Sequence, residues 1–269
     1  MRPAVPYTPT SNARTFSLRS LHGFVAHKIG QQIIRGDFKP GQLLPSEEAF
    51  SARMKVSRTA MREAIKLLAA KGLIESRPKT GTRIRPREFW NFLDPDLLAW
   101  QLSAGPIGRY VKDLFELRRV VEPAAAEIAA RRIGARDVAR MEKAYRGMAA
   151  AGDDGELWVA PDMRFHKAIL HATGNELIRS LGAMIETALA ITFRLSSTNP
   201  EGQRHALPLH GAILKALTRQ APAAARRAML RLLDKSEEDV RRAIAALRRH
   251  DVRSTLAGRT RTLQRGVVG

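Results

Sequence analysis

The sequence predicts a mainly α-helical protein in two parts: a small N-terminal unit of three short helices closed by a β-hairpin, and a larger bundle made only of helices. Three observations carry this. Apolar residues recur at helical spacing, with capping residues at the breaks, over residues 18–72; the next stretch alternates as two short strands; and from Asp94 to about Arg249 the helical period never gives way to alternation. At 269 residues, 44% hydrophobic and 27% charged, the chain has room for two ordinary domains and a normal globular composition, which excludes wholesale disorder.

Leu18, Leu21, Val25, Ile29 and Ile33 stand three or four apart, one buried face of a first helix, and Gly36 follows where a C-cap glycine belongs. Pro40-Gly41 makes a turn. Ser46 then starts a second helix: its hydroxyl can accept from an orphan N–H, Glu47 and Glu48 suit the positive helix terminus, and the helix ends near Met54. Ser57 caps a third helix with an apolar face of Met61, Ala64, Ile65 and Leu68, with Val56 and Met61 spaced as a hydrophobic staple and Gly72 as the stop. Two short helices joined so tightly form a helix-turn-helix. Leu73 to Arg77 and Thr82 to Arg85 read as a hairpin with Gly81 at its turn, and alternation puts Arg83 and Arg85 opposite Ile84. A basic hairpin after a helix-turn-helix is a winged helix.

Charge is segregated along the chain. The whole carries 46 Lys+Arg against 26 Asp+Glu, a net +20; residues 1–88 hold 17 against 6, residues 241–269 hold 8 against 1, and the 152 residues between carry only +2. Basic ends around a near-neutral middle point to one part that meets a polyanion, double-stranded DNA, and another with a different task. The third helix carries Arg58, Thr59, Arg62 and Lys66 away from its apolar face. Arginines there can reach guanine O6/N7 or phosphate, and the exposed N–H groups of the helix start bind phosphate as well. An ordinary solvated face would also be arginine-rich; the adjoining basic hairpin favours DNA.

Zero cysteines exclude disulfides, zinc ribbons, iron–sulfur clusters and thiol nucleophiles, so any metal must use His and carboxylate. No run approaches the roughly 18 apolar residues of a membrane span, and residues 1–17 lack the apolar core of a secretory signal, so a cytoplasmic protein without a membrane partner is expected. The expected division is a disordered segment at 1–17, a winged helix at 18–86, a linker and junction at 87–107, an all-helical domain at 108–249, and a basic disordered tail at 250–269. Helical segments read as Asp94–Ser103, Gly108–Arg132, Ala135–Ala151, Glu156–Ala172, Glu176–Ser197, Leu207–Arg219 and Pro222–Arg249.

Within the bundle, Asp162 and His166 share a helix face at i, i+4, and His210 comes from a later helix. Such ligands suit Zn, Mn, Ni or Fe, although on chemistry alone an internal Asp–His hydrogen bond is the commoner meaning of the pair. A metal-dependent hydrolase is one alternative function; the lack of an evident general base beside the cluster speaks against it. A nonspecific nucleic-acid-binding protein is another, for which the basic tail argues.

Leu44-Pro45-Ser46-Glu47, Val56-Ser57-Arg58-Thr59, Arg62-Glu63-Ala64, Leu67-Leu68, Gly72-Leu73-Ile74 and Gly81-Thr82 resemble the DNA-binding domain of GntR-type bacterial transcription regulators over about seventy residues. The resemblance implies a dimer on a short palindrome, with Arg58 and Arg62 contacting bases, Thr59 a phosphate, and Gly81 at the wing tip. Several such regulators have Arg where this chain has Glu48. Phe115-Glu116-Leu117-Arg118, Glu122-Pro123, Asp162-x-x-Phe165-His166, Thr173-Gly174-Asn175 and His210-x-x-Ile213-Leu214-x-Ala216 resemble the helical effector domain of the FadR subfamily, the FCD type. That resemblance implies a ligand-binding, dimerising domain and one divalent metal, Zn, Mn or Ni, at Asp162, His166 and His210. Leu232 replaces the expected fourth ligand. Arg118 matches an arginine that faces the cavity and would grip a carboxylate. The stretch from Trp90 to Trp100 is similar to a branch that senses sugar acids, so a sugar acid or similar small carboxylate is the expected effector, with contacts near Phe193, Arg194 and Ser196. The function so implied is a ligand-responsive transcription regulator acting as a repressor, and not an enzyme.

Overall fold

The computed structural model describes residues 20–77, 79–104, 107–196 and 200–265, so the expected disordered segment at 1–17 lies outside the described residues. The chain divides between Tyr110 and Val111 into two compact units.

In the first unit capping residues set the element ends, with Gly36, Ser46 and Ser57 anticipated from the sequence and Ser20 not. Helix α1 (Leu21–Arg35) starts under Ser20, whose Oγ accepts from Gly23 N–H, and stops at Gly36. Helix α2 (Glu47–Met54) and helix α3 (Arg58–Ala70) begin at Ser46 and Ser57, which accept from the N–H groups of Ala49 and Ala60 at 3.2 and 3.1 Å. Strands β1 (Ile74–Arg77) and β2 (Gly81–Ile84) pair antiparallel, with Ile74 opposite Ile84 and Glu75 opposite Arg83. A single bridge from Leu43 to Arg83 adds to the open edge of β2. Strand alternation buries Ile74 and Ile84 on one face, where they join Val25, Ile29, Ile33, Phe50, Met61, Leu68 and Leu73 in one core.

The stretch 87–107 differs from the expected linker. After a 3-10 turn at Arg87–Phe89, helix α4 (Pro95–Ala104) packs on α1, and Trp90, Leu97 and Trp100 are buried in the core of the same unit. Two backbone sites make room for this. An added Cβ at Gly30 of α1 would stand 2.3 Å from the Trp100 ring, and one at Gly72, where φ is +75, would meet the Phe89 carbonyl at 2.1 Å. Proline-rich composition hid the core role, because three prolines and a run of arginine are equally the signature of a connection.

A buried ion cluster ties the end of α3 to the start of α4. Lys71 Nζ lies 2.8 and 2.9 Å from the two oxygens of Asp94 and 2.7 Å from Asp96, with the lysine side chain only 6% exposed. Asp94 Oδ1 also accepts from the N–H groups of Asp96 and Leu97, capping α4, and Asn91 N–H donates to the Lys71 carbonyl.

The second unit is all helix: α5 (Ile107–Arg132), which begins before the division, α6 (Ala135–Ala151), α7 (Gly155–Ala172), α8 (Glu176–Ser180), α9 (Gly182–Ser196), α10 (Pro200–Thr218) and α11 (Pro222–Arg265). Helices α6 and α7, α10 and α11, and α7 and α9 pack as neighbours. Ala125, Ala126, Ala129 and Ala130 of α5 are buried, as are larger side chains such as Phe165, Ile169, Ile213, Leu217, Met229 and Leu233 from the other helices. The expected segment Glu176–Ser197 is split at Leu181 into α8 and α9, and α10 begins seven residues earlier than Leu207, with Pro208 inside it. The tail also differs: α11 runs on to Arg265 where disorder was expected from 250. Adding residues to a helix already formed carries no nucleation penalty, and the segment contains no proline to stop it. Among the described residues, no helix is long and apolar enough to cross a membrane.

Replacing Lys71 with Ala leaves two partly buried aspartates without the buried cation they share and should destabilise the first unit by about 2–4 kcal/mol. Urea unfolding followed through Trp90 and Trp100, in a Trp158→Phe background, measures this. An unchanged midpoint would remove the ion cluster from the account of the α3–α4 junction.

Candidate functional site

In the first unit, Ser57, Arg58, Thr59, Arg62 and Lys66 all lie on the exposed side of α3, with Ser46 and Gly81 also exposed. The two helix starts of α2 and α3 face each other's charges. Glu48 contacts the Arg58 guanidinium, and Glu47 Oε2 lies 3.6 Å from Arg62 Nε. Lys66 Nζ pairs with Glu63 at 2.8 Å on the same helix. These pairs are open to solvent, where an ion pair contributes little, so a DNA phosphate can compete with each of them. The serine hydroxyls are engaged as helix caps. Arg83 has a second task besides facing outward from the hairpin: its Nη1 donates to the Gly41 carbonyl at 3.0 Å. Arg85 lays its guanidinium over the Phe89 ring, 4.3 Å from the centroid.

The second unit encloses a cavity of about 80 Å³. Three helices deliver the polar groups of the cluster by helical period. Arg118 and Glu122 lie at i, i+4 on α5 and Asp162 and His166 at i, i+4 on α7, while His210 comes from α10. Ligand atoms of Asp162, His166 and His210 all fall within 4.8 Å of one another. Each of the three site helices also carries an interior proline within two residues of a site side chain, at Pro123, Pro161 and Pro208, which deprives one carbonyl per helix of its intrahelical donor.

The histidines are held from behind. His210 Nδ1 stands 2.9 Å from the Ala206 carbonyl, which can only accept, so Nδ1 is the donor there, and Nε2 lies 2.8 Å from Asp162 Oδ1. His166 Nδ1 lies 2.5 Å from Glu122 Oε2, and its Nε2 is 3.7 Å from Asp162 Oδ1. Close as they are, these contacts are off the hydrogen-bond axis: Glu122 Oε2, His166 Nδ1 and His210 Nε2 are buried without an aligned partner. A carboxylate and two imidazoles whose Nε2 atoms both face it, that of His210 orphaned, form a donor set that fits a divalent cation, with Glu122 and the Ala206 carbonyl as the outer groups that orient the rings. The position of a fourth side-chain ligand is apolar, because Leu232 lines the cavity there and is 4% exposed.

Charge inside this cluster is balanced. Burial pushes the Glu122 carboxyl up, but the charges of Arg118 and His166 outweigh it and bring the group from its ordinary 4.5 down to about 2. Asp162 is likewise pushed up by burial and pulled further down by His210, His166 and Arg118. Arg118 is 1% exposed and lines the cavity as expected, with its Nε held 2.5 Å from Glu122 Oε1. Phe193 lines the cavity too; the side chains of Arg194 and Ser196 lie outside the described residues. Sequence reasoning missed Glu122 as an orienting group, although its i, i+4 spacing from Arg118 mirrors that of Asp162 and His166. It also missed Trp158, Gln203, Lys235, Ser236 and Asp239, which carry no motif and enter the lining only through helix packing.

A winged helix joined to a helical bundle with a cavity that gathers buried charged groups defines a ligand-responsive DNA-binding regulator. Comparison with known proteins agrees. Residues 21–84 match the gntR family of bacterial regulatory proteins, and residues 113–235 match the FCD domain. The uncharacterized HTH-type transcriptional regulator YieP of Escherichia coli (strain K12) is 32% identical over 227 residues, 84% of this chain and 97% of that protein. The galactonate operon transcriptional repressor of the same organism is 33% identical over 209 residues, 77% of this chain and 91% of that protein. A solved structure of Lar, described as controlling the Listeria monocytogenes agr system, shares the fold at TM-score 0.60 and 18% identity, over 84% of this chain and 99% of that one. The chain belongs to the GntR family of transcription regulators and carries an FCD effector domain. Its relatives are regulators, so the hydrolase alternative has no support.

Because the folded-state pKa of Glu122 lies below its unfolded value, its ionised form stabilises the fold above pH about 4.5, and that contribution is lost as pH falls towards about 2. Wild-type stability should therefore fall more steeply across this window than that of Glu122→Gln. Chemical denaturation of both at several pH values measures the difference, and parallel curves would rule Glu122 out as its source.

Proposed function

We propose that this chain is a homodimeric repressor that binds a short palindromic operator through α3 and the β1–β2 wing and is released by a small carboxylate effector bound in the bundle. The observation that carries this reading is the convergence of Asp162, His166 and His210 with buried Arg118 on one cavity, in a chain that begins with a winged helix. Arg58 and Arg62 read base edges, Thr59, Lys66 and the helix starts at Ser46 and Ser57 meet phosphates, and Gly81 and Arg83 serve the wing. Asp162, His166 and His210 would hold one divalent ion, Zn, Mn or Ni. When bound, such an ion supplies a Lewis-acid anchor for a carboxylate. Arg118 adds a fixed positive charge beside it. Likeness to a galactonate operon repressor supports a sugar acid as the kind of effector. Effector and operator then oppose each other through a coupling free energy of about 1–3 kcal/mol, and α5, which begins in the first unit and carries Arg118 and Glu122, is the covalent route between them. A regulator of this kind works in the cytoplasm.

Footprinting on DNA next to the gene tests the reading: protection of one short palindrome supports it, and uniform coating that disappears with salt would replace it by nonspecific binding. Arg62→Ala should cost about 1–3 kcal/mol of operator affinity in an anisotropy titration and leave effector binding intact. Arg118→Ala should bind operator normally but resist release by effector; a normally inducible Arg118→Ala protein would reject its role. Chelation should lower the melting temperature of the wild type but not of His210→Ala.

A further inference from the structure

We propose that the end of the effector cavity away from the histidines reads hydroxyl groups, with Gln203 and Asp239 selecting a polyhydroxy monocarboxylate over acids of similar length without distal hydroxyls. The proposal rests on the reading of this cavity as the effector site and adds what that site discriminates.

Helical register places the two ends. Gln203 and His210 are seven residues apart on one face of α10, and Leu232, Ser236 and Asp239 share one face of α11; all five line the cavity. The connection between α10 and α11 is so short that the packed pair runs antiparallel. Gln203 therefore stands level with Ser236 and Asp239, about 10 Å along the helix axis from His210. An added Cβ on Gly155, the first residue of α7, would lie 3.0 Å from Gln203 Nε2, which likewise puts the amide near the start of α7, away from Asp162 and His166.

The chemistry of the two ends differs. Around His210 the cavity holds Asp162, the imidazole nitrogens and the Arg118 guanidinium, which together with a divalent ion on the Asp/His set would be a setting for an anion. At the far end it offers acceptors. Gln203 is 7% exposed, and its Oε1 is buried with no hydrogen-bond partner. Asp239, 8% exposed, accepts only, and Lys235 Nζ sits 2.7 Å from its Oδ1. A buried acceptor without a donor has given up water for nothing, so a ligand that brings a donor to Gln203 Oε1 gains what the empty site lacks. A second carboxylate brings no donor and meets Asp239. An ammonium brings donors but meets Lys235. A hydroxyl donates without charge, and the rings of Trp158 and Phe193 in the cavity wall suit the C–H edges of the carbon chain between the two ends.

The test is calorimetric titration of the full-length protein with a panel of aldonates, D-galactonate and D-gluconate among them, beside 2-hydroxyhexanoate and adipate. At least one aldonate should bind about ten-fold or more tightly than 2-hydroxyhexanoate, the scale of one or two net hydrogen bonds. Gln203→Leu should bring the two within about three-fold, and Gln203→Glu, which keeps an acceptor, should retain the preference. Equal binding of aldonates and 2-hydroxyhexanoate by the wild type, tighter binding of adipate, or an undiminished preference in Gln203→Leu overturns the hydroxyl-reading end alone. Binding of no acid of any kind overturns the effector reading itself and this inference with it. The wild-type comparison decides even if a Gln203 variant does not fold.

Discussion

Charge buried inside a helical bundle is the constraint around which the second unit is arranged. Arg118, Glu122, His166, Asp162 and His210 follow one another as a chain of close contacts, and Arg118, Glu122, His166 and His210 are each 3% exposed or less. Any one of these groups alone in the interior would cost several kcal/mol, so each is tolerable only because the next compensates it. The result is a set of side chains with little freedom to rotate. Both imidazoles turn Nε2 towards Asp162, and the guanidinium is braced by Glu122, which is the preorganisation that a small, polar ligand needs if binding is to be tight and selective.

The first unit is arranged by the opposite rule. Its ion cluster at Lys71, Asp94 and Asp96 is sealed and structural, joining the end of α3 to the start of α4, whereas the arginines on the outer face of α3 are paired only loosely with Glu47 and Glu48 in water. Strong pairs hold the scaffold and weak ones cover the surface proposed to meet DNA. Glu48 is notable here, since it contacts Arg58. The net charge of +11 on residues 1–88 is therefore not all available to phosphate.

Much of the first unit was legible in the chain because it is built from local rules. Ser46, Ser57 and Gly36 act within three or four residues of themselves, and the apolar faces of α1 and α3 follow from spacing alone. Where local composition pointed the wrong way, packing had overridden it. Trp90, Leu97 and Trp100 sit in a proline-broken stretch that reads as a linker, yet they complete a core begun seventy residues earlier. Arg83 alternates outward as expected, but its contact with the Gly41 carbonyl lies 42 residues back in the chain and leaves no trace in the hairpin sequence.

For the second unit, periodicity was enough to predict an all-helical bundle, and the i, i+4 pair Asp162 and His166 marked the site on α7 without saying whether it was more than an internal hydrogen bond. Only the packing of α5, α7 and α10 brought Glu122 behind His166 and His210 in front of Asp162, because those contacts join residues separated by several helices. Gln203, Lys235 and Asp239 belong to no motif at all, and their place in the cavity follows solely from the way α10 folds back on α11. Residue types and helix faces are local properties of the chain; which faces meet, and so which side chains share a cavity, is set by the burial of the whole core.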